Sequence, residues 1–193
     1  VPFYRSSSKP AAIAFAPTSA PLAVCYHNVM TDNKTQHIMR AKELLQTAKH
    51  AAMATVNADG SPHNTPFLFL HDDALTHVYW GSHPRSQHSQ NILRTGQLFV
   101  VLYDAVERGG LYIRAKAGHV VEGDELDMAL AVHNNFRARF GQLPLERDFY
   151  IKDAPQRMWD AETVAFWVNG EVRGANGKIA EDIRYDITPQ DLR

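Results

Sequence analysis

Two strand-length runs, Ala51-Ala-Met-Ala-Thr-Val-Asn57 and a second reaching Leu70, flank Ala58-Asp-Gly-Ser-Pro62, and this arrangement constrains the fold more than any other part of the chain. A tight hairpin turn needs left-handed backbone, which Asp and Gly adopt cheaply, so the segment predicts a β-hairpin. After a turn at Asp72-Asp73, Thr76 to Gly81 alternates with aromatic content and extends the hairpin into a three-strand meander. Gln97-Leu-Phe-Val-Val-Leu-Tyr103 is nearly continuous in apolar residues, as expected of a strand covered on both faces. Leu111 to Val121 is another strand after Gly109-Gly110. Thr163-Val-Ala-Phe-Trp-Val168, closed by a turn at Asn169-Gly170, predicts a late strand with which Ile183 to Ile187 pairs.

Helical signals are fewer. Ile38, Met39, Ala41, Leu44, Leu45 and Ala48 recur at three- and four-residue spacing after caps at Thr31 to Asn33, predicting a helix over 34–49. Ser86 caps a short helix running through Asn91 to Leu93. Asp124 to Phe140 repeats apolar residues helically, with acids early and arginines late, as the helix dipole favours. Many short strands with few helices suggest a barrel or sandwich rather than a doubly wound sheet. Residues 1–33 read as an N-terminal arm and 34–193 as one domain.

Composition excludes several function classes. The 20 basic and 21 acidic residues nearly cancel, so no global field draws the chain to nucleic acid or an anionic membrane, and neither is expected as a partner. With Cys25 as its one cysteine, the chain builds no internal disulfide and no multi-cysteine metal site, and a cytoplasmic setting is expected. The ten histidines include His71, His77, His83 and His88, but their spacing matches no metal-binding pair, and no metal is expected. Neither a Gly-x-Ser-x-Gly elbow nor a Gly-rich nucleotide loop is present, which disfavours a serine hydrolase, a Rossmann site and an ATPase.

The order hairpin, meander, polar turn, short helix, strand carries a resemblance. Ala54-Thr-Val-Asn-Ala-Asp-Gly-Ser-Pro62, Pro66-Phe-Leu-Phe-Leu-His-Asp-Asp73, Tyr79-Trp-Gly-Ser82 and Ser86-Gln-His-Ser-Gln-Asn-Ile92 resemble the FMN-binding family of pyridoxamine 5′-phosphate oxidase-like proteins. The resemblance implies a mainly β (α+β) fold, an antiparallel Greek-key split β-barrel with flanking helices. It also implies a homodimer with FMN at the subunit interface.

A flavin mononucleotide needs a concave, mostly apolar slot for its rings and concentrated donors for its phosphate. The resemblance lays the second strand along the ring system, so His63, Asn64, Thr65, Pro66 and Phe67 are expected there, with Tyr79, Trp80, Gly81 and Ser82 near by. The phosphate is assigned to Arg85, Ser86, Gln87 and His88, because an exposed helix N-terminus beside a guanidinium suits an anion. The family often has an Arg-Lys pair after the serine, where this chain has Gln87-His88. Arg85 then supplies the charge from a shifted position, and His88 adds to it when protonated. Both residues also fit a solvated turn.

Val164-Ala-Phe-Trp-Val-Asn-Gly-Glu-Val-Arg173 is similar to the family segment in which a tryptophan meets the flavin across the dimer and an arginine faces the substrate. Trp167 and Arg173 take those places, although Trp167 also fits an ordinary core position. In the oxidases proper the arginine is followed by leucine and histidine. Here Gly174 and Ala175 follow, so the substrate expected is a small molecule other than pyridoxamine phosphate, with Arg184 as a further substrate contact. The expected function is an FMN-dependent oxidase or reductase that transfers hydride between substrate and flavin, with no catalytic acid or base assigned. The rival is a non-catalytic flavin or haem carrier or sensor of the same fold.

Overall fold

The computed structural model describes residues 23–104 and 109–193, those of 23–32 by backbone alone. The first helix, α1, spans Ala23–Thr47. It therefore begins inside the segment expected to be an arm, and Thr31 to Asn33 lie within the helix instead of capping it. Residues 1–22 and the side chain of Cys25 fall outside the description. From Ala41, Leu44 and Leu45, α1 buries one face on the sheet, with Ile38 and Ala48 packed at its margin.

Eight strands make one antiparallel sheet among the described residues. They are β1 (His50–Val56), β2 (Pro62–Leu68), β3 (Leu70–His71), β4 (His77–Ser82), β5 (Leu98–Tyr103), β6 (Gly110–Val120), β7 (Arg157–Arg173) and β8 (Ile179–Ile187). The order is β2-β1-β5-β6-β7-β4-β3, with β8 also paired to β7, and the sheet curls into a split barrel. Helix α2 (Gln87–Thr95) follows β4, and α3 (Gly123–Arg139) follows β6.

The hairpin forms as expected, with Asn57 N–H bonded to Ser61 O at 2.9 Å and Gly60 at φ 85°, in the left-handed region. The meander does not. β2 pairs only with β1, while β4 pairs with β3 and with Arg157–Glu162 of β7. The chain breaks its ladder at Phe69, whose side chain is buried in the core and whose N–H bonds back to Lys49 O at 3.1 Å. Burying Phe69 and stacking Trp80 on Trp159 at 6.0 Å favours β4 beside β7.

Two further expectations fail for packing reasons. β5 is covered on one face only: Leu98, Val100 and Leu102 are buried, whereas Phe99 and Val101 are half-buried on the other side. Asn169-Gly170 is not a turn but lies inside β7. An added Cβ at Gly170 would stand 2.5 Å from Tyr185 Cε2, so this glycine admits the β8 ring, and the turn is displaced to Gly174–Lys178 with Gly177 at φ 74°. The main core sits between the inner face of the barrel, α1 and α2; a second cluster under α3 contains Tyr79, Leu126, Phe136, Tyr150 and Met158.

Candidate cofactor site

Directly paired residues of an antiparallel ladder point to the same face. The registers therefore align Pro66, Ala52, Val101, Tyr112, Trp167 and Asp186 in one row across five ladders. A second row holds Asn64, Ala54, Phe99, Arg114 and Ala165. Every one of these residues is half-buried or exposed, in contrast to the buried inner face. Phe99 and Trp167 stack at 5.9 Å with planes 29° apart, and Arg114 lies over Trp167. The Arg184 guanidinium sits 3.9 Å from the Tyr112 ring centroid, and Asn169 Nδ2 donates to Tyr112 Oη at 3.2 Å. The outer face is thus an aromatic surface edged by cations, not core, and Trp167 belongs to it.

The β2 residues divide by alternation. Asn64 and Pro66 point to this outer face; Phe67 is buried, edge-on to Phe69 at 6.1 Å and to Trp80 at 6.4 Å. His63 and Thr65 are half-buried on the other side of the strand. Because β2 is an edge strand, alternate backbone N–H and C=O groups face outward unpaired by the sheet. Tyr79 and Trp80 have buried side chains, and Gly81 leaves room for Tyr150 and Gln156, which an added Cβ would meet at 3.1 Å.

At the N-terminus of α2, hydroxyls replace fixed charge. Ser86 holds the N-cap position but makes no side-chain cap bond. Its Oγ donates to Ser89 Oγ at 2.9 Å, Ser89 Oγ donates to Ser82 Oγ at 3.1 Å, and Ser82 Oγ lies 2.7 Å from His88 Nε2. Ser86 Oγ is also 3.1 Å from that nitrogen. Burial lowers the His88 pKa, and neighbouring His63 lowers it further. Arg85 is exposed, with its backbone N–H on His83 Nδ1 at 3.0 Å, and Gln87 Nε2 donates to Asn91 Oδ1 at 3.1 Å. Asn91 in turn donates to Thr55 Oγ1 at 3.0 Å and Asn57 Oδ1 at 2.9 Å, locking α2 onto the hairpin. Ser89 and Asn91 escaped the sequence reading; both stand in the short polar helix, and the small side chain of Ser89 against the Ser86 position was the available signal.

The substrate candidates meet in a separate cleft of about 1020 Å³ between α1 and the β7–β8 hairpin, lined by His37, Tyr112, Asn169, Glu171, Arg173 and Arg184 among others. Arg173 is committed: its guanidinium pairs with Glu171 and donates to Gly177 O at 2.8 Å. Arg184 makes no such ion pair among the described residues. No three His, Cys, Asp or Glu side chains among the described residues stand where they would hold a metal ion, and no described helix is long and apolar enough to cross a membrane.

The family model for pyridoxamine 5′-phosphate oxidase matches residues 39–172. The chain belongs to that family. No curated protein matches. Among solved structures, a haem binding protein from Mycobacterium smegmatis is 15% identical over 81% of this chain and 59% of its own, with a TM-score of 0.56. A Clostridium acetobutylicum protein related to general stress protein 26, of the pyridoxinephosphate oxidase family, is 14% identical over 79% of this chain and 96% of its own, with a TM-score of 0.55. A putative 5-nitroimidazole antibiotic resistance protein from Bacteroides thetaiotaomicron is 14% identical over 67% and 81%, with a TM-score of 0.53. At these identities the likeness is one of fold.

Proposed function

We propose that this chain is an FMN-dependent oxidoreductase acting on a small substrate other than pyridoxamine phosphate, as a homodimer with its flavins between subunits. The observation that carries the reading is the pair of rows running from Pro66 to Trp167 and from Asn64 to Ala165: one continuous half-buried to exposed face holds both the strand expected along the flavin and the aromatic group expected to meet it. A surface of this kind is too apolar to remain in water and suits a second copy of itself.

The donor set fits the cofactor. The orphan N–H groups at the start of α2 suit a phosphate, and the open edge of β2 offers backbone donors to a polar ring edge. Bound FMN would supply the hydride acceptor. The chain's own residues orient it and exclude water: the aromatic row of a second subunit covers the ring face, and Arg184, backed by Tyr112, holds the anionic end of a substrate. Arg173, tied to Glu171 and followed by Gly174-Ala175, is poorly placed to hold pyridoxamine phosphate.

The absorption spectrum of the purified protein tests the reading directly; flavin maxima support it. A haem Soret band instead favours a haem carrier, the second reading, which the mycobacterial haem binding protein of the same fold motivates. Trp167→Glu should convert the dimer to a monomer and release flavin, by light scattering and gel filtration. A flavin-loaded dimer carrying that substitution refutes the interface assignment. Stopped-flow mixing with amines and with NADPH then separates enzyme from carrier: failure of every donor to reduce the flavin at a useful rate favours the carrier.

A further inference from the structure

The Ser82, Ser86, His88 and Ser89 ring has a direction. Ser86 donates to Ser89 and Ser89 to Ser82, whose Oγ also lies 3.0 Å from Ser86 Oγ and 2.7 Å from His88 Nε2; when the neutral imidazole carries its proton on Nδ1, Nε2 accepts the Ser82 proton. In that tautomer all three hydroxyl protons are spent inside the ring, and the chain of donors ends on an imidazole lone pair. Such an arrangement is self-satisfied without a ligand and offers an anion no hydroxyl hydrogen. The N-cap side chain is diverted into the ring, which leaves the N–H groups of the first turn of α2 without a side-chain cap.

We propose that His88 takes up a proton when a phosphate group docks at the N-terminus of α2, so that the charge holding the phosphate is created on binding and capture strengthens as the pH falls. The inference rests on the FMN reading above. One added proton on Nε2 reverses the ring: the imidazolium donates to Ser82, and one of the three hydroxyls is released to donate to the phosphate. Among the described residues no cationic side chain other than His88 itself bonds to the hydroxyls of this ring. His63 on β2 faces His88, His83 and Arg85 occupy the preceding turn, and Arg85 is exposed. Arg157 of β7, opposite Ser82 in the ladder, gives its guanidinium to the carbonyls of Ala154, Lys152 and Gln156. Among the described residues no carboxylate forms an ion pair with His88. In the free protein its lowered pKa keeps it neutral near pH 7, and a dianion at hydrogen-bond distance raises that pKa.

The test is the dissociation constant of FMN between pH 6.5 and 8.5 for the native protein and for His88→Gln, with riboflavin, which lacks the phosphate, as a control. Uptake of one proton tightens native FMN binding by up to about tenfold for each pH unit of fall. The ratio of native to His88→Gln affinity removes the titration of the FMN phosphate itself, whose second pKa is about 6, and that ratio should rise several-fold from pH 8 to pH 7. Riboflavin binding should show no such rise. Parallel FMN profiles for the two proteins overturn the proposal while leaving FMN binding intact. In the native protein, NMR titration of the His88 ring with and without inorganic phosphate gives a readout free of any variant. If no flavin binds at any pH but phosphate raises the His88 pKa, the FMN reading fails and the proton-coupled site stands. An unmoved His88 pKa in saturating phosphate overturns the site.

Discussion

Replacing Asn91 by alanine should loosen the joint between α2 and the hairpin, and the cost follows from three hydrogen bonds. Asn91 is 2% exposed and donates to Thr55, itself 5% exposed, and to Asn57, while accepting from Gln87. Two lost buried donations cost about 0.5–1.5 kcal/mol each, and stranding the Thr55 hydroxyl adds about 1 kcal/mol or more, giving about 3 kcal/mol in all. For a chain of this length that is a fall of about 6–12 °C in Tm. Thermal unfolding followed by circular dichroism, at one fixed protein concentration, measures the fall. Gln87→Ala is the control, since it removes one bond at the exposed end of the same network and should cost under about 1 kcal/mol. A loss for Asn91→Ala no greater than for Gln87→Ala refutes the claim that this network joins helix to hairpin.

Two other perturbations probe the rest of the fold. His133 is buried with Nδ1 2.9 Å from Tyr150 Oη, and burial, aided by Arg137, pushes its pKa down to about 4. A histidine depressed in the folded state contributes stability that is full above its unfolded pKa, about 6.5, and is lost as the pH falls toward 4. Urea unfolding should therefore show the native protein losing roughly 2 kcal/mol more than His133→Gln between pH 7 and pH 5; equal losses refute the assignment. Gly170→Ala drives a methyl group against the Tyr185 ring and should lower stability by about 1–3 kcal/mol, while shifting Arg184 on the paired strand; unchanged stability in urea refutes the packing account.

How much was legible in the sequence depended on the range of the interaction. The Asp59-Gly60 hairpin, the α2 cap position and α3 rest on turns and periodicities a few residues long, and they appear where expected. The partner of β4 does not follow from local pattern: Trp80 looks the same whether its strand extends a meander or pairs with residues some eighty positions away. Asn169-Gly170 misled for a related reason. The pair is a common turn signal, but here Gly170 serves a ring from another strand. At the site, the sequence pointed to the serine and histidine of the α2 turn through resemblance, yet the closed ring they form with Ser82 and Ser89 exists only after β4 and α2 are folded together. Phe99, Tyr112 and Arg114 were hidden inside apparently ordinary strands, because which face of β5 is dry is decided by the whole sheet.

The length of β7 has a consequence for how the molecule comes into being. This one strand pairs with β4, β6 and β8, and it supplies both Trp159 in the core and Trp167 on the outer face. During synthesis, β1, β2, β5 and β6 are available early and can join one another, but β4 has no long partner until residue 157 and its successors emerge. Such nonlocal pairing is slow, and until it forms the edges of β4 and β6 are open to other chains. Closure of the barrel thus waits for the same strand that carries Trp167 on the outer face. Pairing of β7 is therefore expected to limit the rate of folding, with premature termination before β7 yielding aggregates instead of a smaller domain.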